Sequence, residues 1–111
     1  MPSINIYTSR ERVKLLEDIF SGLKEFTAQE LSCGDRELRS DEISLRAIVP
    51  EAASQIADTE LEIKAFSYPE RVQRQDEICR LIDDYVQRNC PESGSTYVWL
   101  QLSELGHSAK E

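Results

Sequence analysis

SRERVKLLEDI (Ser9–Ile19) and YPERVQRQDEI (Tyr68–Ile78) coincide when the chain is shifted by 59 residues, sharing Glu-Arg-Val and a terminal isoleucine. The same shift sets Ile4 on Ile63 and Thr8 on Ser67, so a strand and a helix start move together. A shift of 53 residues sets SLRAIVPE (Ser44–Glu51) on YVWLQLSE (Tyr97–Glu104). Similarity at a fixed offset marks a repeated supersecondary unit. The chain is therefore expected to be one domain over residues 1–111, built from two pseudo-repeats spanning about 2–51 and 60–105.

Each unit has the pattern strand, helix, strand. Ser3 to Tyr7 alternates polar and apolar, with Ile4 and Ile6 on one side, as a half-buried strand does. TSRE (Thr8–Glu11) has the form of a capping box, in which Thr8 caps the helix and Glu11 reaches back. Val13, Leu16, Phe20 and Leu23 then recur at helical spacing, flanked by Ile19 and Phe26, up to Cys33-Gly34. EISLRAIVP (Glu42–Pro50) is a second strand stopped by its proline. ELEIKAF (Glu60–Phe66) is a third strand, and SYPE (Ser67–Glu70) repeats the capping box with Pro69 in the first turn. Val72, Cys79, Ile82 and Val86 form the second helical stripe, with Ile78, Leu81 and Tyr85 beside it. TYVWLQLSEL (Thr96–Leu105) closes the chain as a fourth strand. The order βαββαβ gives an α+β class. Strand parity puts Leu45, Ala47, Val49, Val98, Leu100 and Leu102 against the helices. Ser44, Arg46, Ile48, Tyr97, Trp99 and Gln101 fall on the other face.

Composition narrows the function. The 111 residues carry a net charge of −8 with no basic run, which argues against a nucleic-acid or anionic-membrane partner. No apolar stretch approaches the ~20 residues that span a bilayer, and the N-terminus lacks a signal pattern, so a cytoplasmic location is expected. Cys33, Cys79 and Cys90 are odd in number and lack CxxC spacing, so neither a disulfide framework nor a zinc site is indicated. His107, the single histidine, lies in the terminal LGHSAKE, which makes a Ser-His or Cys-His arrangement improbable. Glycine-rich phosphate loops are absent. An enzyme of this composition needs an unusual base.

MPSINIYT supplies one. Removal of Met1 would leave Pro2 with a secondary amine at the terminus, whereas a retained methionine makes the same nitrogen an amide. An α-amino group titrates near about 7.7–8.0, and burial or nearby cations tune it toward neutral pH. The competing reading is that Pro2 is incidental.

Two tandem βαβ units beginning at a proline resemble the tautomerase superfamily, over almost the whole chain. SLRAIVPE resembles the second strand of 4-oxalocrotonate tautomerase, whose pattern has an arginine where Arg46 stands. Its IVPE end is similar to macrophage migration inhibitory factor. The PSINIYTS opening, the chain length and the LEIKAF junction look most like 5-carboxymethyl-2-hydroxymuconate isomerase. The resemblance implies a four-stranded sheet backed by two helices, and a homotrimer with the amino-terminal prolines in pockets between subunits. It implies a cofactor-independent tautomerase acting on a small carboxylated keto or enol substrate. Pro2 would be the general base, and Arg46 would bind a carboxylate or stabilise the enolate. Trp99 and Gln101 fall where the migration inhibitory factor pattern has pocket residues, and Arg39 lies loosely at its pocket lysine.

The chain also departs from the family. Both units lack the Gly-Arg-Ser turn of 4-oxalocrotonate tautomerase, reading YTSRE and FSYPE, so Arg10 or Arg12 would have to supply that cation. Arg10, Arg12, Arg71 and Arg74 stand among acidic residues and are expected to be mostly solvated. Two other functional classes stay open: a ferredoxin-like interaction module, which shares the βαββαβ order, and a tautomerase-fold binder without turnover.

Overall fold

The computed structural model describes residues 2–33 and 37–104. Four strands, β1 (Ser3–Tyr7), β2 (Ser44–Ile48), β3 (Thr59–Phe66) and β4 (Thr96–Ser103), form one sheet in the order β2-β1-β3-β4. β1 runs parallel to β2, β3 runs parallel to β4, and the two pairs meet antiparallel at β1 and β3. The sheet is thus symmetric about its central contact. This topology also excludes the ferredoxin-like alternative, whose split βαβ units keep their two parallel strands apart; here β1 and β2 are hydrogen-bonded neighbours.

Each expected helix is present but broken in two. The first becomes α1 (Arg10–Glu17) and α2 (Phe20–Leu31), and the second becomes α3 (Pro69–Gln73) and α4 (Gln75–Asn89). Ile4, Ile6, Leu61 and Ile63 from the sheet meet Leu16, Leu23, Ile78, Ile82 and Val86 from the helices, all fully buried. Burying one such side chain contributes roughly 1.5–3 kcal/mol, so this one-sided layer accounts for the fold. Single short turns of tighter helix precede β2 (Ser40–Glu42) and β4 (Pro91–Ser93).

Several local expectations are corrected. Thr8 does not cap α1; the cap position is Ser9, with no side-chain capping bond. The buried Thr8 hydroxyl instead bonds Thr59 Oγ1 at 2.9 Å and the Asp58 carbonyl at 3.2 Å. Ser67 likewise gives way to Tyr68 at the cap of α3. Val72 is 51% exposed while its neighbour Arg71 is buried. The break at Arg74 (φ −104°, ψ 10°) offsets α3 from α4, so the apolar stripe of α4 does not continue to Val72. Val49 is exposed because the ladder ends at Ile48, whose carbonyl takes the Thr8 N–H. His107 and Leu105 lie outside the described residues.

Candidate functional site

Pro2 stands immediately before β1, and its carbonyl accepts the Ser44 N–H at 3.2 Å. Burial alternates from Pro2 through Thr8, so Pro2 shares the helix side of the sheet with Ile4 and Ile6. The antiparallel register pairs Ser3 with Lys64, and one step further sets Ala65 beside Pro2. The end of β3 is therefore the neighbour of the proline.

A guanidinium is fixed at that same end, and it is Arg71. Its Nε donates to the Leu31 carbonyl at 2.8 Å and its Nη1 to the Phe66 carbonyl at 3.0 Å. Its charge also lies 4.7 Å from the centre of the Tyr68 ring. Leu31 ends α2, where carbonyls lack helical partners and attract cations. Arg74 adds a 2.7 Å pair to Glu30 and a bond to the Glu30 carbonyl. The sequence reading of Arg71 and Arg74 as solvated among acids is corrected: both staple α3 to the end of α2. The signal was the end of α2, whose last turn carries Glu30 and no basic residue and so recruits one from elsewhere.

Arg46 occupies the opposite face. It is exposed, and its Nη1 donates to Asn5 Oδ1 at 3.0 Å. Asn5 Nδ2 donates onward to Glu62 Oε1 at 3.0 Å, which also accepts the Tyr7 hydroxyl at 3.3 Å. Lys64 stands 3.8 Å from the same carboxylate. The register explains this row, since Arg46 pairs with Asn5, Asn5 with Glu62, and Glu62 with Trp99. Partial burial, then the Glu62 charge and its hydrogen bond, push the Tyr7 phenol above its ordinary range. Trp99 is half-buried and meets Tyr97 in a tilted ring pair at 5.7 Å. Gln101 is exposed on the same face, opposite Lys64 and level with Ser3.

Within one chain these residues do not all converge. Arg46, Trp99 and Gln101 share the open face, Pro2 lies on the helix side, and Arg39 is apart from both. Arg39 sits before the turn leading into β2, 72% exposed and paired with Asp41 at 3.4 Å and Glu42 at 3.7 Å. Asn5, Glu62 and Arg71 are members of these clusters that sequence reasoning missed.

Arg10 and Arg12 lie at the wrong end to serve Pro2 in the same chain. The five residues of β1 separate the two ends by about 17 Å. They line a cleft of about 560 Å³ formed by the start of α1, the 49–57 connection and the turn into β4. Asp58, at the cleft's edge, accepts the Ser95 N–H at 3.0 Å and the Ser95 hydroxyl at 3.2 Å. Those two bonds, with the Arg12 charge, hold its carboxyl below the usual range. Among the described residues no group of three or more His, Cys, Asp or Glu is placed to hold a metal ion, and no helix is long and apolar enough to cross a membrane.

Comparison with known proteins turns on shape. No family model and no curated protein matches the chain. Among solved structures, a macrophage migration inhibitory factor-like protein of Entamoeba histolytica superposes with a TM-score of 0.60 at 10% identity, covering 94% of this chain and 88% of its own. A protein of unknown function from Vibrio cholerae gives 0.56 at 12% identity, over 91% of this chain and 76% of its own. A member of the cis-3-chloroacrylic acid dehalogenase family gives 0.50 at 13% identity, over 90% and 75%. At such identities the likeness is one of fold alone, the fold shared with the migration inhibitory factor-like and dehalogenase-family structures.

Proposed function

We propose that this chain is a cofactor-independent tautomerase whose Pro2, freed of Met1, is the general base for small keto or enol carboxylic acids. The observation that carries this reading is the position of Pro2: buried at the start of β1 in a tautomerase fold, at the sheet end where Arg71 is fixed. Burial disfavours the ammonium form, and a nearby cation does the same, so both act to keep the amine neutral near pH 7. A neutral amine takes a proton beside a carbonyl and returns it elsewhere on the substrate. Arg71 adds a fixed positive field at that end, while its bonds to two backbone carbonyls keep it in place.

The remaining sequence candidates need a second chain. Arg46, Trp99 and Gln101 lie on the open face, away from the Pro2 side of their own sheet. In a homotrimer whose open faces wall a central barrel, a neighbouring copy brings such residues to the rim of the Pro2 pocket. Tyr97, 47% exposed, and the adjoining Trp99 form an aromatic patch of the kind that marks a contact surface. In that pocket Arg46 binds a substrate carboxylate or the developing enolate charge, and Trp99 and Gln101 shape the wall. Arg39 reaches the pocket only by exchanging Asp41 and Glu42 for substrate.

The test compares protein whose N-terminus is shown by mass spectrometry to be Pro2 with the same chain carrying an N-terminal extension. Phenylenolpyruvate and 2-hydroxymuconate serve as probes. A positioned base contributes about 10²–10⁴-fold, so the extended chain should lose at least that factor. Equal rates in both samples, or none in either, would refute the assignment of Pro2. Sedimentation should give a trimer. A tautomerase-fold binder without turnover is the second reading, favoured by one observation: in a single chain Arg46 and Arg39 are already engaged by Asn5, Asp41 and Glu42. Ligand binding with no conversion would select it.

A further inference from the structure

The cleft at the far end of the sheet has no part in that reaction. Its volume, about 560 Å³, falls in the range of small-molecule sites. Its walls differ in character. Val49 and Pro50 make an apolar side, whereas Arg10 and Arg12 stand on the other.

The two arginines are unusual for this acidic chain. Arg10 is exposed, and its side chain forms no ion pair or hydrogen bond among the described residues. Arg12 reaches Asp58 only at 3.9 Å, the longest ion pair in the structure's described part, and otherwise donates to Ser9 at 3.3 Å. Asp58 itself is committed to Ser95, which supplies both of its shorter bonds. The other carboxylate of the lining, Glu11, is exposed. Compare Arg74, which holds Glu30 at 2.7 Å. Each guanidinium carries five N–H donors in a planar fork that matches an oxyanion. Most of those donors are unused here. The symmetric sheet gives the position meaning: because β1 and β3 are antiparallel, the cleft stands at the start of β3 as Pro2 stands at the start of β1.

We infer that this cleft is a second ligand site, taking a small molecule with an oxyanion head on Arg10 and Arg12 and an apolar body against Val49 and Pro50. A carboxylate and a phosphate ester share that chemistry. The full chain, labelled with ¹⁵N, is titrated with benzoate, phenyl phosphate, inorganic phosphate and benzamide. Benzoate or phenyl phosphate should move the amides of residues 8–12, 49, 51–58 and 95; the tighter of the two identifies the head group. Benzamide and inorganic phosphate should each bind at least tenfold more weakly than the better anion. Arg10→Gln with Arg12→Gln should raise the dissociation constant about tenfold or more, and Glu11→Gln should lower it. Should the double variant unfold, exposed Arg10→Gln alone must still weaken binding. Blocking the N-terminus should leave these titrations unchanged, which separates the site from the Pro2 chemistry. Shifts scattered outside the cleft, benzamide binding as well as benzoate, or unaltered binding in the arginine variants would overturn the inference. Inorganic phosphate binding as tightly as the better of the two aromatic anions would do the same, since it leaves the apolar wall without a role.

Discussion

Replacing Arg71 by alanine removes, among other contacts, the hydrogen bonds of one buried cation to Leu31 O at 2.8 Å and Phe66 O at 3.0 Å. Hydrogen bonds to charged groups contribute about 1.5–3 kcal/mol each. Against this stands the cost of keeping a guanidinium 4% exposed, which recovers part of the loss when the charge is deleted. The balance is a destabilisation of about 3 kcal/mol, because two carbonyls are left without their donor. With a urea m-value of about 1.5 kcal/mol/M, the unfolding midpoint should fall by about 2 M. Arg74→Ala provides the comparison. Its side chain is 36% exposed and its partners Glu30 and Glu77 can be hydrated, so its loss should cost about 1 kcal/mol or less. Arg71→Lys keeps the charge but presents a compact ammonium in place of the fork, and should recover less than half of the lost stability. If Arg71→Ala shifts the midpoint no more than Arg74→Ala, water satisfies those carbonyls and Arg71 does not staple α2 to β3.

Gly22 lies in α2 where an added Cβ would collide with the Tyr85 hydroxyl, and Tyr85 is held by stacking on Phe26 at 4.8 Å. Gly22→Ala should therefore destabilise despite a helix-propensity gain of about 1 kcal/mol; in a Tyr85→Phe background the same change should stabilise, as thermal unfolding of the four proteins would show. Asp58 has its carboxyl pKa depressed by the Ser95 N–H and hydroxyl and then by Arg12, so its contribution is present above the unfolded value of about 3.9 and fades as pH falls through the folded one. Urea midpoints of the native chain should exceed those of Asp58→Asn at pH 6 and converge with them toward pH 2; a constant gap would mean the Ser95 bonds do not depend on the charge.

Much of the fold was legible because each strand carries its own alternation. Ile4 and Ile6, and Leu61 and Ile63, announce the buried face without reference to anything distant. Capping was not legible in the same way. TSRE is a sound local signal, yet Thr8 sits where β1 passes beside Thr59, and a buried hydroxyl takes the partner that tertiary structure offers. Only Pro69 in the first turn of α3 depended on backbone geometry alone, and it stands there. The arginines divide by the same logic. Arg71 shares Glu-Arg-Val with Arg12, but Arg12 meets a cleft while Arg71 meets the end of α2. Local sequence is alike at the two places and the surroundings are not. For Arg46 the face was legible from parity, whereas Asn5 and Glu62 required knowing that β1 lies between β2 and β3.

The open face shows how a sheet can be polar and still suited to enclosure. Burying an unpaired polar group is costly, and burying a charge more so. Here the row is already paired within the chain: Arg46 to Asn5, Asn5 to Glu62, Tyr7 to Glu62, and Lys64 beside the same carboxylate. Tyr7 is a neutral donor, as an ordinary phenol is near pH 7, and its surroundings push its ionisation further upward. A row with several of its donors and acceptors already paired inside the chain leaves fewer orphans where the proposed trimer encloses it. The aromatic pair Tyr97 and Trp99, at the β4 side of the row, then supplies apolar area where a neighbour would meet it. In the proposed trimer this face would meet its neighbours through apolar contact at its margin, over a hydrogen-bonded interior. That division also leaves Arg46 held by one neutral amide partner, from which a carboxylate can draw it at little cost.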